Sequence, residues 1–383
     1  MNGKILTLAF MLLLSLSGCD KMGVSGESSK SALATSPNNS GNPNQPGVIT
    51  AGEWNDLDNW VFWESIIRKD EFKSIPALWS FYTNNRISVE VSGADLKPAI
   101  NVLVKLKMNG NIVFSGRTDN RGKVELWPNL YQNNSNSDLS KMTIDIHNGS
   151  VIISKVKSYL EGTNKAVISP VAVDSKIELS FVVDATGSMG DELEYLKTEL
   201  LDVISRVKIA NSKSVILTSS VFYRDKGDEY ITRVSGFTTN HTTTTDFIKA
   251  QKAAGGGDFP EAVHSALDKA INELQWSANA KTRLLFLVLD APPHNNQEVI
   301  KDIQNSIMKA SEKGIKIIPV TASGINRETE FLMRFMAMST NGTYVFITNH
   351  SGIGNDHLEP TVGKYQVEFL NNLMVRLINK YAE

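Results

Sequence analysis

The stretch Ile177-Glu178-Leu179-Ser180-Phe181-Val182-Val183-Asp184-Ala185-Thr186-Gly187-Ser188 decides the fold. Its first seven residues are dominated by apolar side chains without strict alternation, the pattern of a strand covered on both faces. At Asp184 the character changes within one turn to a carboxylate, two hydroxyls and a glycine. Downstream, similar apolar runs recur at Val215–Phe222, Leu284–Leu289, Ile315–Val320 and Tyr344–Ile347. Between them lie stripes at helical spacing: Leu193, Leu196, Leu200, Ile204 and Val207; then Val263, Leu267, Ala270, Ile271 and Leu274; then Val367, Leu370, Leu373, Leu377 and Ile378. Strands alternating with amphipathic helices predict an α/β fold, a doubly wound, mostly parallel sheet, over residues 173–383.

In such sheets a ligand sits beyond the carboxyl ends of the strands, where the strand order reverses. Alternate positions of Asp184-Ala185-Thr186-Gly187-Ser188 point a carboxylate and two hydroxyls to one side, and Gly187 gives the turn its backbone freedom. Hard oxygen donors of this kind suit Mg²⁺, Mn²⁺ or Ca²⁺ rather than zinc or copper.

These residues resemble the von Willebrand factor A family, whose metal-ion-dependent adhesion site opens with Asp-x-Ser/Thr-x-Ser. The resemblance runs from about Lys176 to Tyr381 and has two further motifs, Gly255-Gly256-Gly257-Asp258-Phe259-Pro260-Glu261-Ala262 and Leu287-Val288-Leu289-Asp290. It implies that Thr186 and Ser188 contact a divalent cation, Mg²⁺ first among them, and that Asp184 and Asp290 contact it directly or through water. The sixth position then stays open for water or for an Asp or Glu of a protein partner. One position departs from the family: Gly257 stands where the family usually has a threonine ligand. Asp258 could supply the missing oxygen, or could simply cap the next helix, with Glu261 at capping-box spacing and Pro260 in the first turn. Tyr223-Arg224-Asp225 and Asp290-Ala291-Pro292-Pro293-His294 are similar to a subset of the family that includes domains accompanying some atypical protein kinases, though no kinase motif occurs. Tyr223, Arg224 and Asp225 follow the second strand and are expected near the same rim, supporting the site or forming a solvated ion pair.

Upstream, residues 49–172 read as a Trp-rich segment and a small β-sandwich. Trp54, Trp60, Trp63 and Trp79 are four of the six tryptophans, and buried packing explains them better than a sugar-stacking platform. Period-two segments begin at Ile87-Ser88-Val89-Glu90-Val91 and recur to Thr143-Ile144-Asp145-Ile146. Thr118-Asp119-Asn120-Arg121-Gly122-Lys123-Val124 resembles a hairpin of carboxypeptidase regulatory-like and other Ig-like modules, with turn chemistry accounting for Asp119 and Asn120.

Residues 1–18 read as an export signal, a Lys4-bearing start followed by an apolar run from Ile5 to Leu14. Leu16-Ser17-Gly18-Cys19 resembles the lipobox of bacterial lipoproteins, which implies lipidation at Cys19 and attachment of the protein to a membrane of the bacterial envelope, facing the periplasm or the cell surface. Cys19 is the only cysteine, so no intramolecular disulfide is available. Residues 19–48 read as a flexible leash, whose Ser-, Asn-, Gly- and Pro-rich stretch from about Gly23 to Gly47 spans roughly 25–30 Å as a coil.

With 39 Lys and Arg against 41 Asp and Glu, the chain has no electrostatic footprint for nucleic acid. There is no His-Glu-x-x-His, Gly-x-Ser-x-Gly or P-loop, and no small-molecule substrate is implied. The expected function is therefore non-enzymatic, cation-dependent capture of a protein. A scaffold with a vestigial metal site and a metal-assisted hydrolase using Asp290, His294 and His264 are the alternatives. A fragment from Lys176 onward is expected to fold alone.

Overall fold

The computed structural model describes residues 43–133, 137–169 and 171–383. The first described strand is β1 (Thr50–Trp54), followed by two short helices, α1 (Trp60–Ile67) and α2 (Ile75–Trp79). Seven strands then build the sandwich: β2 (Ile87–Gly93), β3 (Leu103–Met108), β4 (Asn111–Arg117), β5 (Lys123–Leu126), β6 (Met142–Ile146), β7 (Val151–Ile153) and β8 (Asn164–Ile168). They divide into a three-stranded sheet, β5-β2-β8, and a four-stranded sheet, β4-β3-β6-β7. Inward residues Val89, Val91, Val104, Leu106, Phe114 and Ile144 are buried between them, as the period of two requires.

The α/β half follows with β9 (Asp174–Asp184), α3 (Leu193–Ala210), β10 (Val215–Tyr223), β11 (Thr232–Thr238), α4 (His241–Lys249), α5 (Val263–Asp268), β12 (Ala280–Leu289), α6 (Gln297–Lys313), β13 (Ile315–Thr321), α7 (Arg327–Ser339), β14 (Tyr344–Ile347), β15 (Glu368–Phe369) and α8 (Leu370–Ala382). The sheet order is β11-β10-β9-β12-β13-β14-β1-β15, with β9, β10, β12, β13 and β14 parallel. Leu179, Phe181 and Val183 of β9 face α3 and α8, while Val182 joins the opposite layer of α5, α6 and α7. Both faces are thus covered, which explains why the strand is apolar at successive positions.

Two expected boundaries move. Residues 50–54 do not belong with the sandwich: β1 pairs antiparallel with β14, from Ala51 opposite Ile347 to Trp54 opposite Tyr344, and with β15 on its other side. Just past β1, Asp56 binds the buried Arg334 of α7, at 2.6 Å to Nη2 and 2.9 Å to Nε, and also accepts from Trp54 Nε1. The described end of the expected leash, residues 43–48, is likewise fastened. Glu199 of α3 accepts from the backbone N–H groups of Gly47, Val48 and Ile49 at 3.0, 2.9 and 3.2 Å, and Thr198 Oγ1 donates to the Pro43 carbonyl. Cys19 and the signal segment lie outside the described residues.

The tryptophans are packing residues. Trp63 is fully buried, its ring 5.6 Å from Phe331 and 5.4 Å from Phe335 of α7, and Trp60 lies against Trp127. The hairpin is a turn as its residues suggest: Asp119 Oδ1 accepts from the N–H groups of Arg121 and Lys123 at 2.9 Å each.

The Lys176 fragment lacks both an internal strand of its sheet and the carboxylate that neutralises Arg334. We expect it to aggregate or to melt without cooperativity, against the simple reading of the sequence. In the whole chain, Asp56→Ala should lower stability by about 3–5 kcal/mol, because it strands a buried guanidinium beside Glu330 alone. Urea denaturation of both proteins checks this, and a cooperative, native-like melt of the fragment would contradict it.

Candidate functional site

The site lies at the carboxyl end of β9, where α3 leaves on one face and α5 approaches on the other. Asp184 and Thr186 are completely buried, and Ser188 is exposed at the mouth. Asp184 Oδ1 accepts from the Thr186 N–H at 2.8 Å and from Thr186 Oγ1 at 2.7 Å, and Thr186 Oγ1 lies 3.1 Å from Ser188 Oγ. The first motif therefore folds back on its own carboxylate and aligns its two hydroxyls. Asp290, one residue past β12, is also buried.

Backbone bonds hold the surrounding loops in register. The Ala185 N–H donates to the Tyr223 carbonyl at 2.8 Å, the Gly187 N–H to the Gly255 carbonyl at 3.0 Å and the Ala254 N–H to the Ala185 carbonyl at 3.0 Å. Arg224 ties the same loops by donating from Nε to the Ala185 carbonyl at 3.1 Å and from Nη2 to the Lys252 carbonyl at 2.9 Å. Asp225 pairs with His294 Nε2 at 2.9 Å, joining the loop after β10 to the loop after β12. Asp228 Oδ2 accepts from the Gly256 N–H at 2.9 Å, which fixes the glycine-rich loop. Arg224 and Asp225 thus act through backbone and loop placement, and the buried Tyr223 hydroxyl faces the Asp184 carboxylate.

The second motif behaves differently from its expected reading. The N-cap of α5 is Ala262, with no side-chain cap, so Asp258 caps no helix; it stays exposed on the loop. Glu261 turns inward instead and is only 2% exposed. Gly256, at φ +73°, makes room for it: a Cβ there would stand 2.9 Å from Glu261 Oε1 and 3.2 Å from Thr186 Cβ. The sequence marks Glu261 only as the fourth residue of a capping-box pattern, and no periodicity distinguishes an inward from an outward carboxylate in a loop.

Three carboxylates consequently share one low-dielectric site, and each raises the others' affinity for protons. Burial, with the charge of Asp225 adding to it against the Thr186 hydrogen bonds, pushes Asp184 up to about 6. Burial and the Asp184 charge push Asp290 up to about 7. Burial followed by the charges of Asp184, Asp225 and Asp290 pushes Glu261 up to about 9. Asp184 Oδ2, Asp290 Oδ1 and Glu261 Oε2 are buried with no hydrogen-bond donor. Among the described residues, no three His, Cys, Asp or Glu side chains close into a ready-made metal cage. The donor set here is mixed, two hydroxyls with carboxylates, and its hard oxygens and uncompensated negative charge fit a hard dication.

Residues 178–354 match the von Willebrand factor A domain family. The α/β half has the von Willebrand factor A fold. The chain is 34% identical over 119 residues to an ariadne-like RING finger protein of Acanthamoeba polyphaga mimivirus, a match covering 31% of this chain and 11% of that protein. It is 29% identical over 155 residues to an alpha-protein kinase of Dictyostelium discoideum, covering 40% of this chain and 24% of the kinase. The chain thus spans only a small part of either relative. Among solved structures it is similar to a conserved hypothetical protein, BatB, from Bacteroides thetaiotaomicron (TM-score 0.37, 14% identity, 54% of this chain and 98% of that one). It is also similar to an aerotolerance-related membrane protein from Bacteroides fragilis (TM-score 0.35, 13% identity, 53% and 99%). The matched segment contains all three motifs of the site, and the sheet it contributes to also includes β1 and β15, from outside that segment.

The charge cluster has a consequence for stability. Acids whose pKa is raised by folding favour the folded state below the unfolded-chain value near pH 4, and that contribution is lost as pH rises through the folded values. In chelator, the melting temperature should therefore fall between about pH 5 and pH 9, by about 1–2 °C for each kcal/mol in a chain of this length. Asp290→Asn should flatten the fall. A melting temperature that climbs over this range in chelator would contradict the electrostatic picture.

Proposed function

We propose that this protein is a lipid-anchored module of the bacterial envelope that captures a protein partner through a divalent cation bound at the end of β9. The observation that carries this reading is the set of buried, donor-less carboxylate oxygens on Asp184 and Asp290 beside the aligned hydroxyls of Thr186 and Ser188. Asp184, Thr186, Ser188 and Asp290 would hold the cation, and Arg224 and Asp225 hold the loops that carry them. When bound, the cation supplies an electrophilic position that a partner's Asp or Glu side chain can occupy. Ser188, exposed at the mouth, marks the side from which that carboxylate arrives.

Binding is favoured over hydrolysis because the histidines serve other contacts. His294 is engaged by Asp225, and His264 Nε2 lies 3.3 Å from Ser265 Oγ on its own helix. The Leu16-Ser17-Gly18-Cys19 tetrad supports the anchor, and the fastened segment at Gly47–Ile49 gives a tether from Cys19 a defined point of entry on the domain.

Removing Asp184 takes away a carboxylate that neutralises the dication, whereas removing Ser188 takes away a neutral donor. Asp184→Ala should therefore lower cation affinity more than Ser188→Ala, and Asp258→Ala should leave both affinity and stability within about 0.5 kcal/mol of the wild type. Calorimetric titration beside a thermal melt measures this, and affinity capture from solubilised envelope with and without chelator reads the partner. Capture that ignores the chelator would favour a scaffold with a vestigial site, and full cation affinity in Asp184→Ala would remove the assignment.

For the anchor, Cys19→Ala should release soluble protein or block maturation. Unchanged membrane fractionation and unchanged mass of the mature protein would rule lipidation out.

A further inference from the structure

The loop that carries Gly257 leaves the site short of one oxygen, and the same loop delivers one from elsewhere. A Cβ at Gly257 would meet open space, and the backbone there is not left-handed, so nothing steric prevents a threonine. The chain nonetheless has glycine, and four residues later it turns Glu261 inward, with Oε1 against Gly256, the glycine that Thr186 also packs on. The Glu261 N–H is fastened to the Pro292 carbonyl at 2.8 Å, so the backbone that carries this side chain is tied to the Asp290 loop. Its Oε2 is buried and without a donor, as are Asp184 Oδ2 and Asp290 Oδ1. A carboxylate buried this way, within the field of Asp184 and Asp290 and without a cationic side chain hydrogen-bonded to it, costs stability unless a cation joins it.

We infer that Glu261 is the third anionic ligand of the cation site, in place of the hydroxyl that Gly257 lacks, and that the site consequently selects Ca²⁺ over Mg²⁺. The inference rests on the cation site proposed above. Mg²⁺ demands octahedral geometry at about 2.0–2.1 Å, keeps several waters and is usually held by one or two carboxylates. Ca²⁺ accepts 6–8 oxygens at about 2.3–2.6 Å, with carboxylates binding through one or both oxygens, and its affinity rises with the number of charged ligands. Three carboxylates and two hydroxyls match the second description.

The test is calorimetric titration of the whole protein with CaCl₂ and MgCl₂ separately, for the wild type, Glu261→Gln, Gly257→Thr with Glu261→Gln, and Asp184→Ala. The wild type should bind Ca²⁺ at least about tenfold more tightly than Mg²⁺. Glu261→Gln keeps the shape and removes the charge, so it should weaken Ca²⁺ binding by about tenfold or more. Adding Gly257→Thr should restore binding with the preference moved toward Mg²⁺. A second readout guards against a folding defect: in chelator, Glu261→Gln should melt above the wild type, because the folded chain no longer buries a carboxyl that must either stay charged beside two others or take up a proton. Wild-type affinities in Glu261→Gln, with binding lost in Asp184→Ala, would overturn the role of Glu261 and leave the site standing. Binding retained in Asp184→Ala as well would overturn the site itself. A wild type that binds Mg²⁺ as tightly as Ca²⁺ would overturn the selectivity.

Discussion

The parallel sheet needs something beyond β14, because a strand at an edge presents a row of unpaired N–H and C=O groups. In this protein residues 50–54 fill that place, antiparallel to β14 and flanked in turn by β15. The chain then passes directly to Asp56, which neutralises Arg334 inside α7. A guanidinium with no exposed surface is tolerable only with such a partner, so the segment that closes the sheet also completes the charge balance of the helix layer. The α/β half that begins at β9 depends on a strand that precedes the whole sandwich in the chain.

The same coupling joins the sandwich to the α/β half, and the described residues form one compact unit. Asn120, in the sandwich hairpin, donates to the Lys380 carbonyl of α8 at 2.8 Å, and Arg117 Nε donates to the Glu312 carbonyl at the end of α6 at 3.1 Å. From the other side, Arg283 of β12 reaches Asn101 Oδ1 at 3.1 Å, and Asn341, just after α7, accepts at Oδ1 from the Glu125 N–H of β5 at 3.3 Å. These are hydrogen-bonded polar groups in a buried seam, which specify one docking arrangement more sharply than apolar contact does. The sandwich is therefore a fixed part of the frame that presents the site.

That frame lets the site hold charges that repel. Asp184 and Asp290 sit at the ends of adjacent parallel strands, β9 and β12, and Glu261 arrives from the loop before α5. Left to themselves, loops would separate these groups into water. Arg224, Asp228 and the backbone bonds of Ala185, Gly187 and Ala254 prevent it, so repulsion is stored as raised proton affinity and unpaired oxygens. Such an arrangement is a standing demand for positive charge, and it belongs to this chain's own residues whatever its relatives do.

The α/β class, the strands β9, β10, β12, β13 and β14, the helices α3, α5 and α8 and the placement of Asp184, Thr186, Ser188 and Asp290 at strand ends were legible in the amino-acid order, whereas β11, α4, α6 and α7 were not singled out. Burial on both faces of a sheet and on one face of a helix leaves a periodicity that a single chain displays. The boundary near residue 172 was not legible, because a five-residue strand inserted into a distant sheet has no local signature, and neither has an Asp–Arg pair separated by 278 positions. That Asp258 stays outside while Glu261 turns inward was hidden for a related reason. In a glycine-rich loop the direction of a side chain is set by what the loop packs against, here Thr186 and the Pro292 carbonyl, and not by the spacing of its own residues. Sequence by itself determined which chemistry is present at the strand ends; only the tertiary structure decided which carboxylates meet, because that depends on contacts between loops far apart in the chain.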